Sequence, residues 1–156
     1  MNQNVNNGRD YLLWMLMILA RDIVYKAREK ELVQYGITPE QSGVLFAINS
    51  LGEAATISEL ALRLLREPHS VANLLNRMIR NGLITRKNPR GGKRAATYHL
   101  TSKGQEAYYH STKRESLHRV MSALSEEDQA RFEQYLRKIL NVTFKDIVNE
   151  MQPPWP

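Results

Sequence analysis

Residues 56–104 read TISELALRLLREPHSVANLLNRMIRNGLITRKNPRGGKRAATYHLTSKG, and they carry the strongest indication of the fold. Thr56 and Glu59 have the three-residue spacing of a capping box, which predicts the start of a short helix that runs to about Leu65. After a break, apolar residues recur at helical spacing through residues 68–81, and a glycine then ends this second helix. Two short helices around a tight turn predict a helix-turn-helix.

A β-hairpin is predicted directly after the second helix. Residues 83–87 and 96–100 are rich in Thr, Ile and Tyr, which favour strands. The segment between them, residues 88–94 (NPRGGKR), consists of turn-forming and basic residues. We therefore expect two short strands joined by a long basic tip, and the whole module is predicted to be a winged helix-turn-helix.

Longer helices are predicted before this module. The first covers residues 10–34 and ends at Gly36, and a capping box at Thr38 and Gln41 begins a second one that runs to about Ser50. The first helix carries two adjoining apolar stripes, which are wider than one neighbour can cover. We expect it to be buried on several sides, against its own domain and against a second chain. The stripes are Leu12, Leu16, Leu19 and Ile23, and Leu13, Met17, Ala20 and Val24.

Two more helices are predicted after the hairpin. Thr101 caps a helix over residues 102–123, and Ser125 caps a last one that runs to about Glu150. The predicted fold is mostly α with a small β-wing: a winged helix-turn-helix core flanked by N- and C-terminal dimerisation helices. The corresponding division is an N-terminal dimerisation helix (1–36), a DNA-binding domain (37–101), C-terminal dimerisation helices (102–150) and a tail without an assigned role (151–156).

The charge is concentrated in the winged module. Residues 63–103 contain ten Lys and Arg but one acidic residue, so this span nets +9 while the rest of the chain nets −3. A basic module in a near-neutral protein is typical of a polyanion-binding protein. On charge alone, a solvated basic face that maintains solubility is an equal alternative.

Other kinds of function find little support in the sequence. The chain has no cysteine, which excludes disulfides and thiolate chemistry, and it has no phosphate-binding loop, dinucleotide turn or nucleophile elbow. His110 and His118 lie eight positions apart, whereas helical metal ligands prefer three or four. The apolar run at residues 11–20 is about half the length of a membrane-spanning helix. We predict a cytoplasmic protein that is not an enzyme and uses neither a cofactor nor a metal.

The second helix of the motif is predicted to enter the major groove of DNA. That groove admits one α-helix, and the N-terminal residues of the recognition helix contact base edges. Asparagine suits bidentate hydrogen bonding to adenine, and serine serves several bases. At the hairpin tip, arginine and lysine can reach phosphates or the minor groove. The predicted contacts are His69, Ser70, Asn73, Asn76 and Arg77 on the helix, and Arg90, Lys93 and Arg94 on the wing.

The runs NRMIRNGLI and KRAATYHLTSKG resemble the recognition-helix ending and the wing of the MarR family of transcriptional regulators. The resemblance covers essentially residues 10–150 and is strongest in residues 56–104. It implies a homodimer whose first and last helices interlock, with one winged motif in each chain. It also implies a small aromatic or lipophilic effector between the dimerisation and DNA-binding layers. Trp14, Met15 and Met17 are open to two interpretations, core residues or the lining of an effector pocket.

Three positions depart from the pattern of the family. Leu65 and Arg66 stand where the family usually has a glycine and a hydrophobic residue, so we expect an extended turn and an additional phosphate contact from Arg66. The wing lacks the family's aspartate, which leaves Arg77 without its usual partner. The role of Arg77 is therefore left open: it is either a phosphate contact or an internal brace. Pro68 replaces a frequent polar contact residue.

The sequence as a whole predicts a sequence-specific DNA-binding transcriptional regulator. We expect a homodimeric repressor on a pseudo-palindromic operator, released by a small-molecule ligand, with no role at a membrane. The alternative is a winged-helix protein-interaction module whose basic face binds an acidic partner, since a fold does not determine a function. Replacing Arg94 with Ala should weaken DNA binding at all sequences.

Overall fold

The computed structural model describes residues 3–88 and 95–147, and it describes side chains for residues 8–88 and 95–142. The described chain is mostly helical with a small two-stranded sheet, as predicted. The helices are α1 (Gln3–Leu32), α2 (Pro39–Leu51), α3 (Ile57–Leu64), α4 (Pro68–Arg80), α5 (Ser102–Ser111), α6 (Glu115–Met121) and α7 (Glu126–Ile147). The strands are β1 (Ile84–Lys87) and β2 (Thr97–Leu100), and short 3-10 turns follow α1 and α2.

The apolar core lies inside the winged module. The helices α2, α3 and α4 pack around it, and the hairpin covers one side. Leu45, Leu60, Leu75 and Met78 are completely buried there. Burying each such side chain stabilises the fold by about 1.5–3 kcal/mol. Because this packing uses one face of each helix, the opposite faces are left outside.

The predicted helix starts are confirmed by side-chain caps. The capping box at Thr38 is complete: its hydroxyl accepts from the N–H of Gln41, whose side chain accepts from the N–H of Thr38. At Thr56, the hydroxyl accepts from the N–H of Glu59 at 3.3 Å, which is the first half of such a box. Thr101 caps α5 in the same way. Each cap satisfies one of the N–H groups that a helix leaves unpaired at its start.

The wing is an antiparallel hairpin with a fixed register. Ile84 pairs with Leu100 and Lys87 pairs with Thr97, so each strand is one residue shorter than predicted. The N–H of Tyr98 donates to the carbonyl of Ala55 at 2.9 Å, which ties β2 to the segment before α3. The three basic residues predicted at the tip lie outside the described residues, so their DNA contacts stay predictions. They are Arg90, Lys93 and Arg94.

The turn between α3 and α4 is tight, and the expectation of an extended turn is wrong. Leu65 takes φ 50° and ψ 49°, which is the left-handed conformation that glycine favours. The N–H of Leu65 donates to the carbonyl of Leu62, and the N–H of Arg66 donates to that of Ala61. These bonds end the helix as a glycine would, although the left-handed backbone costs a leucine about 1–2 kcal/mol.

The helix predicted over residues 102–123 is interrupted and forms α5 and α6. Between them Arg114 has a φ of 53°, and two side chains of α1 satisfy the new helix ends. Buried Arg28 donates to the carbonyl of Ser111 at the end of α5. Glu31 accepts from two N–H groups in the first turn of α6, at 3.0 and 3.1 Å. The interruption is therefore built by contacts with a distant helix.

The helices α1 and α7 expose large apolar side chains in the single chain. Within the chain α1 packs on α2 and α6, and most of its two apolar stripes is exposed, so the burial expected against a second chain stays a prediction. The last helix is confirmed as α7 up to Ile147, and its predicted final turn lies outside the described residues. The exposed apolar residues are Tyr11, Leu12, Leu13, Trp14, Leu16, Met17, Ile18, Leu19 and Ile23 on α1, and Phe132, Tyr135, Ile139, Leu140 and Val142 on α7.

Candidate nucleic-acid interface

The helix α4 has one buried face and one polar face. The buried face consists of Val71, Leu74, Leu75 and Met78. Four of the five predicted recognition residues are exposed on the other side, and the fifth, Ser70, is half-buried beside them. The exposed four are His69, Asn73, Asn76 and Arg77. The structure thus brings the predicted recognition residues together on a surface that is free of core contacts.

The beginning of α4 lies at the surface next to the turn. Pro68 occupies the first helical position, and Glu67 before it makes no side-chain cap bond. The ring of His69 and the hydroxyl of Ser70 lie 3.3 Å apart, so their positions are linked. Because a helix N-terminus carries partial positive charge, this end of α4 suits an acceptor on a base or a phosphate.

Arg66 extends from the turn and contacts the start of α2. Its guanidinium lies 3.8 Å from a carboxylate oxygen of Glu40, and its side chain is 42% exposed. Glu40 also accepts a hydrogen bond from the hydroxyl of Tyr25 on α1, at 2.5 Å. Burial favours a raised pKa for Glu40, but the hydrogen bonds outweigh it and lower the pKa below its ordinary value. Burial, together with the bond to Glu40, raises the pKa of Tyr25 to about 12.

A polar groove of about 450 Å³ lies between the start of α2, the turn and the C-terminal half of α4. We call it the arginine groove, because three guanidinium groups line it. Its lining residues are Thr38, Glu40, Gln41, Arg66, Leu74, Arg77, Arg80 and Asn81.

Arg77 lines this groove without bracing the fold. Its side chain is exposed, and it makes no ion pair or hydrogen bond with the other described residues. The sequence left two interpretations of Arg77 open, and the described residues contain no contact through which its side chain would act as an internal brace. A phosphate contact stays the interpretation that its exposure favours.

The sequence reasoning missed Arg80, which is exposed and lines the same groove. Residues three, four and seven apart share one helix face, so its spacing from Asn76 and Asn73 would have placed it with the recognition residues. Arg86 and Lys87 are also exposed, on β1 beside the turn into the wing. Lys103, in contrast, donates to the carbonyl of Asn81 at 2.9 Å and so caps the end of α4.

Comparisons with known proteins agree with this geometry. The family model described as the MarR family matches residues 35–95, which carry the helix-turn-helix and the start of the wing. The organohalide-sensing regulator RdhR in its ligand-free form has a TM-score of 0.85 at 23% identity, covering 98% of this chain and 94% of that one. The winged module of the chain is therefore similar to the MarR family, and the chain shares the fold of RdhR along most of its length.

Two other solved structures that are similar to this chain contain DNA. MepR from S. aureus in its DNA complex has a TM-score of 0.70 at 26% identity, covering 83% of this chain and 94% of that one. A MarR mutant from E. coli complexed with operator DNA has a TM-score of 0.76 at 22% identity, covering 85% of this chain and 96% of that one. No curated protein sequence matches the chain.

The described residues also test the other sites that the sequence suggested. They contain no group of three His, Asp or Glu side chains able to hold a metal ion. His110 stacks on the ring of Tyr35 at 4.5 Å between centroids.

The sequence left open whether Trp14 and Met17 are core residues or line an effector pocket. Their side chains are 50% and 41% exposed in the single chain, so neither is a core residue of the chain alone. Each of the described helices is too short or too polar to span a membrane.

Proposed function

We propose that this protein is a sequence-specific DNA-binding transcriptional regulator that acts as a homodimer on a pseudo-palindromic operator. The observation that carries the proposal is the polar face of α4, which exposes His69, Asn73 and Asn76 next to an uncapped helix start. Asparagine and histidine side chains on such a face can bond base edges, whereas the core keeps the helix in a fixed orientation. The similar structures that contain DNA support the same assignment.

The exposed apolar faces of α1 and α7 support the dimer. Large contiguous apolar surfaces are rare on monomers and mark interaction sites. A second copy of the chain would cover both faces and place two recognition helices on one side of a duplex. The half-sites of the operator would then lie about 34–36 Å apart, one helical turn of DNA.

Repression and effector release complete the proposal. A dimer bound in a promoter excludes the polymerase from the same DNA, which represses transcription. RdhR has been crystallised with 2,4-dichlorophenol, a small aromatic ligand, and its structure in that form has a TM-score of 0.85 to this chain. We infer that a small aromatic or lipophilic effector, bound beside the apolar faces, favours a spacing of the two recognition helices that does not fit the operator.

The test is binding of the purified full chain to DNA from its own upstream region and to a scrambled duplex, over a salt series. We expect a footprint on an inverted repeat and an affinity that falls steeply with salt. Asn73→Ala should cost about 1–3 kcal/mol of discrimination at one base pair per half-site. Asn49→Ala, at an exposed asparagine of α2 that donates to the hydroxyl of Tyr108 at 3.2 Å, is the control and should leave the footprint unchanged.

Two results would count against the regulator. Equal, weak binding to both duplexes would leave only the electrostatic attraction. Unchanged specificity in Asn73→Ala would count against base reading by the polar face of α4. In either case, capture of an acidic protein partner by the basic face would favour the interaction module.

A further inference from the structure

The arginine groove carries an excess of positive charge. Of the described residues that line it, three are arginines (Arg66, Arg77 and Arg80) and one is acidic, Glu40. That carboxylate lies near Arg66 and already accepts a hydrogen bond from Tyr25. The side chains of Arg77 and Arg80 make no ion pair or hydrogen bond with other described residues. A groove with two unpaired guanidinium groups is suited to an anion, which each can bind through several N–H donors.

The position of the groove along α4 indicates which anion. Arg80 follows Asn73 by seven residues on the same helix face, which places it about 10 Å further along the helix axis. The major groove of DNA is about 12 Å wide. When the first turns of α4 contact base edges, a side chain at this distance therefore meets the sugar–phosphate backbone at the edge of the groove. Phosphate contacts of this kind set the orientation of a protein on DNA.

We propose that the arginine groove holds a phosphate of the DNA backbone and that Arg80 is one of its ligands. The inference rests on the proposed function. Arg77 and Arg80 bind the phosphate oxygens directly. Arg66 shifts from Glu40 toward the phosphate, because a phosphate is a stronger acceptor at short range than a carboxylate 3.8 Å away. Glu40 therefore weakens the contact, and the contact itself carries no sequence preference.

Arg80→Gln tests this assignment through the salt dependence of binding. We expect affinity for both the operator and the scrambled duplex to fall about tenfold at physiological salt, because a charge-assisted hydrogen bond is lost. The slope of log affinity against log salt should fall in magnitude by about one unit. Arg80→Lys should restore most of the slope. Arg119→Gln, the same charge change at an exposed position on α6, is the control and should leave the slope unchanged.

Glu40→Gln should change the affinity for DNA in the opposite direction. Removing the only carboxylate among the described residues that line the groove should tighten binding to both duplexes a few-fold, since Arg66 then has no competing anion there. Circular dichroism and the sedimentation coefficient of each variant check that it folds and assembles like the wild type.

The outcomes separate this inference from the proposed function. Operator binding by the wild type with an unchanged slope in Arg80→Gln overturns the phosphate assignment alone. Failure of the wild type to bind any duplex overturns both. Inorganic phosphate tests whether the groove binds a free anion instead. Phosphate would then raise the melting temperature of the wild type but not that of Arg80→Gln, while the salt dependence of DNA binding would be the same in both proteins. This combination of results would show that the assignment to the DNA backbone is wrong.

Discussion

Glu31 and Ser116, 85 positions apart in sequence, are joined by two hydrogen bonds. The carboxylate of Glu31 accepts from the N–H of Ser116 at 3.1 Å and from its hydroxyl. Glu31 also pairs with Arg28 at 2.9 Å, and both side chains are about nine-tenths buried. The helix α1 thereby caps the start of α6 with a charge that the protein interior shields from water.

Replacing this carboxylate should destabilise the fold. Glu31→Gln removes a charged cap and leaves Arg28 buried without its counter-ion, so we expect the free energy of unfolding to fall by about 3 kcal/mol. Urea unfolding at fixed protein concentration measures this loss. Glu127→Gln breaks the exposed pair with Arg131 on α7 and should cost less than about 0.5 kcal/mol. Equal effects of the two substitutions would contradict the capping role.

The same carboxylate should make stability depend on pH. Burial favours a raised pKa for Glu31, but the hydrogen bonds from Ser116 and Arg28 outweigh it and lower the pKa below its ordinary value of 4.5. Its stabilising contribution is therefore present above pH 4.5 and is lost as the pH falls through the folded-state pKa. The difference in unfolding free energy between the wild type and Glu31→Gln should shrink toward acidic pH. A difference that stays constant from pH 7 to about pH 3.5 would refute this linkage.

Gly104 is required by a close approach of α5 to the chain before β1. A Cβ atom at this position would lie 1.9 Å from the carbonyl oxygen of Leu83, which is backbone. We expect Gly104→Ala to lower the free energy of unfolding by at least 2 kcal/mol, roughly the upper end of the cost of overpacking. Gly43→Ala is the control: its Cβ would make an ordinary contact of 3.7 Å, and α2 should gain about 0.5–1 kcal/mol. Thermal or urea unfolding of both variants should show opposite signs.

Leu65 should be improved by glycine. Its left-handed backbone costs about 1–2 kcal/mol, whereas glycine in the unfolded chain costs about 0.4–1 kcal/mol of entropy. Since the side chain is 55% exposed, little apolar burial is lost, and we expect Leu65→Gly to stabilise the protein by about 0.5–1 kcal/mol. Arg63→Gly, inside α3, should destabilise by about 1 kcal/mol. A loss of stability in Leu65→Gly would show that its side chain contributes more than its backbone costs.

The exposed stripe of α1 should control assembly. Leu16→Glu places a carboxylate within the apolar face of α1, and burying an unpaired charge costs several kcal/mol. We expect sedimentation of this variant at the monomer mass of 18.0 kDa, whereas the wild type should sediment at twice that mass. Ser58→Glu adds the same charge on α3 and should stay dimeric. A dimeric Leu16→Glu chain would place the subunit interface elsewhere.

Local signals in the sequence determined the helix starts and the recognition face. Thr38, Thr56 and Thr101 cap helices through residues three positions away, so no distant contact is needed for them. The polar face of α4 follows from apolar spacing in the same way, and Arg80 could have been found by extending it. These interactions lie within one or two turns of helix, which is the range that a sequence pattern describes.

Features that depend on distant partners could not be predicted before the helices were placed in three dimensions. The backbone groups at the break between α5 and α6 are hydrogen-bonded by Arg28 and Glu31, which lie more than 80 positions away. The local sequence of the break does not indicate these partners. Leu65 adopts the conformation of a glycine because the packing of two helices needs a tight turn there. The arginine groove exists because α2 crosses the turn and brings Glu40 to Arg66. Spacing along a chain describes one element at a time, whereas these features arise where separate elements meet.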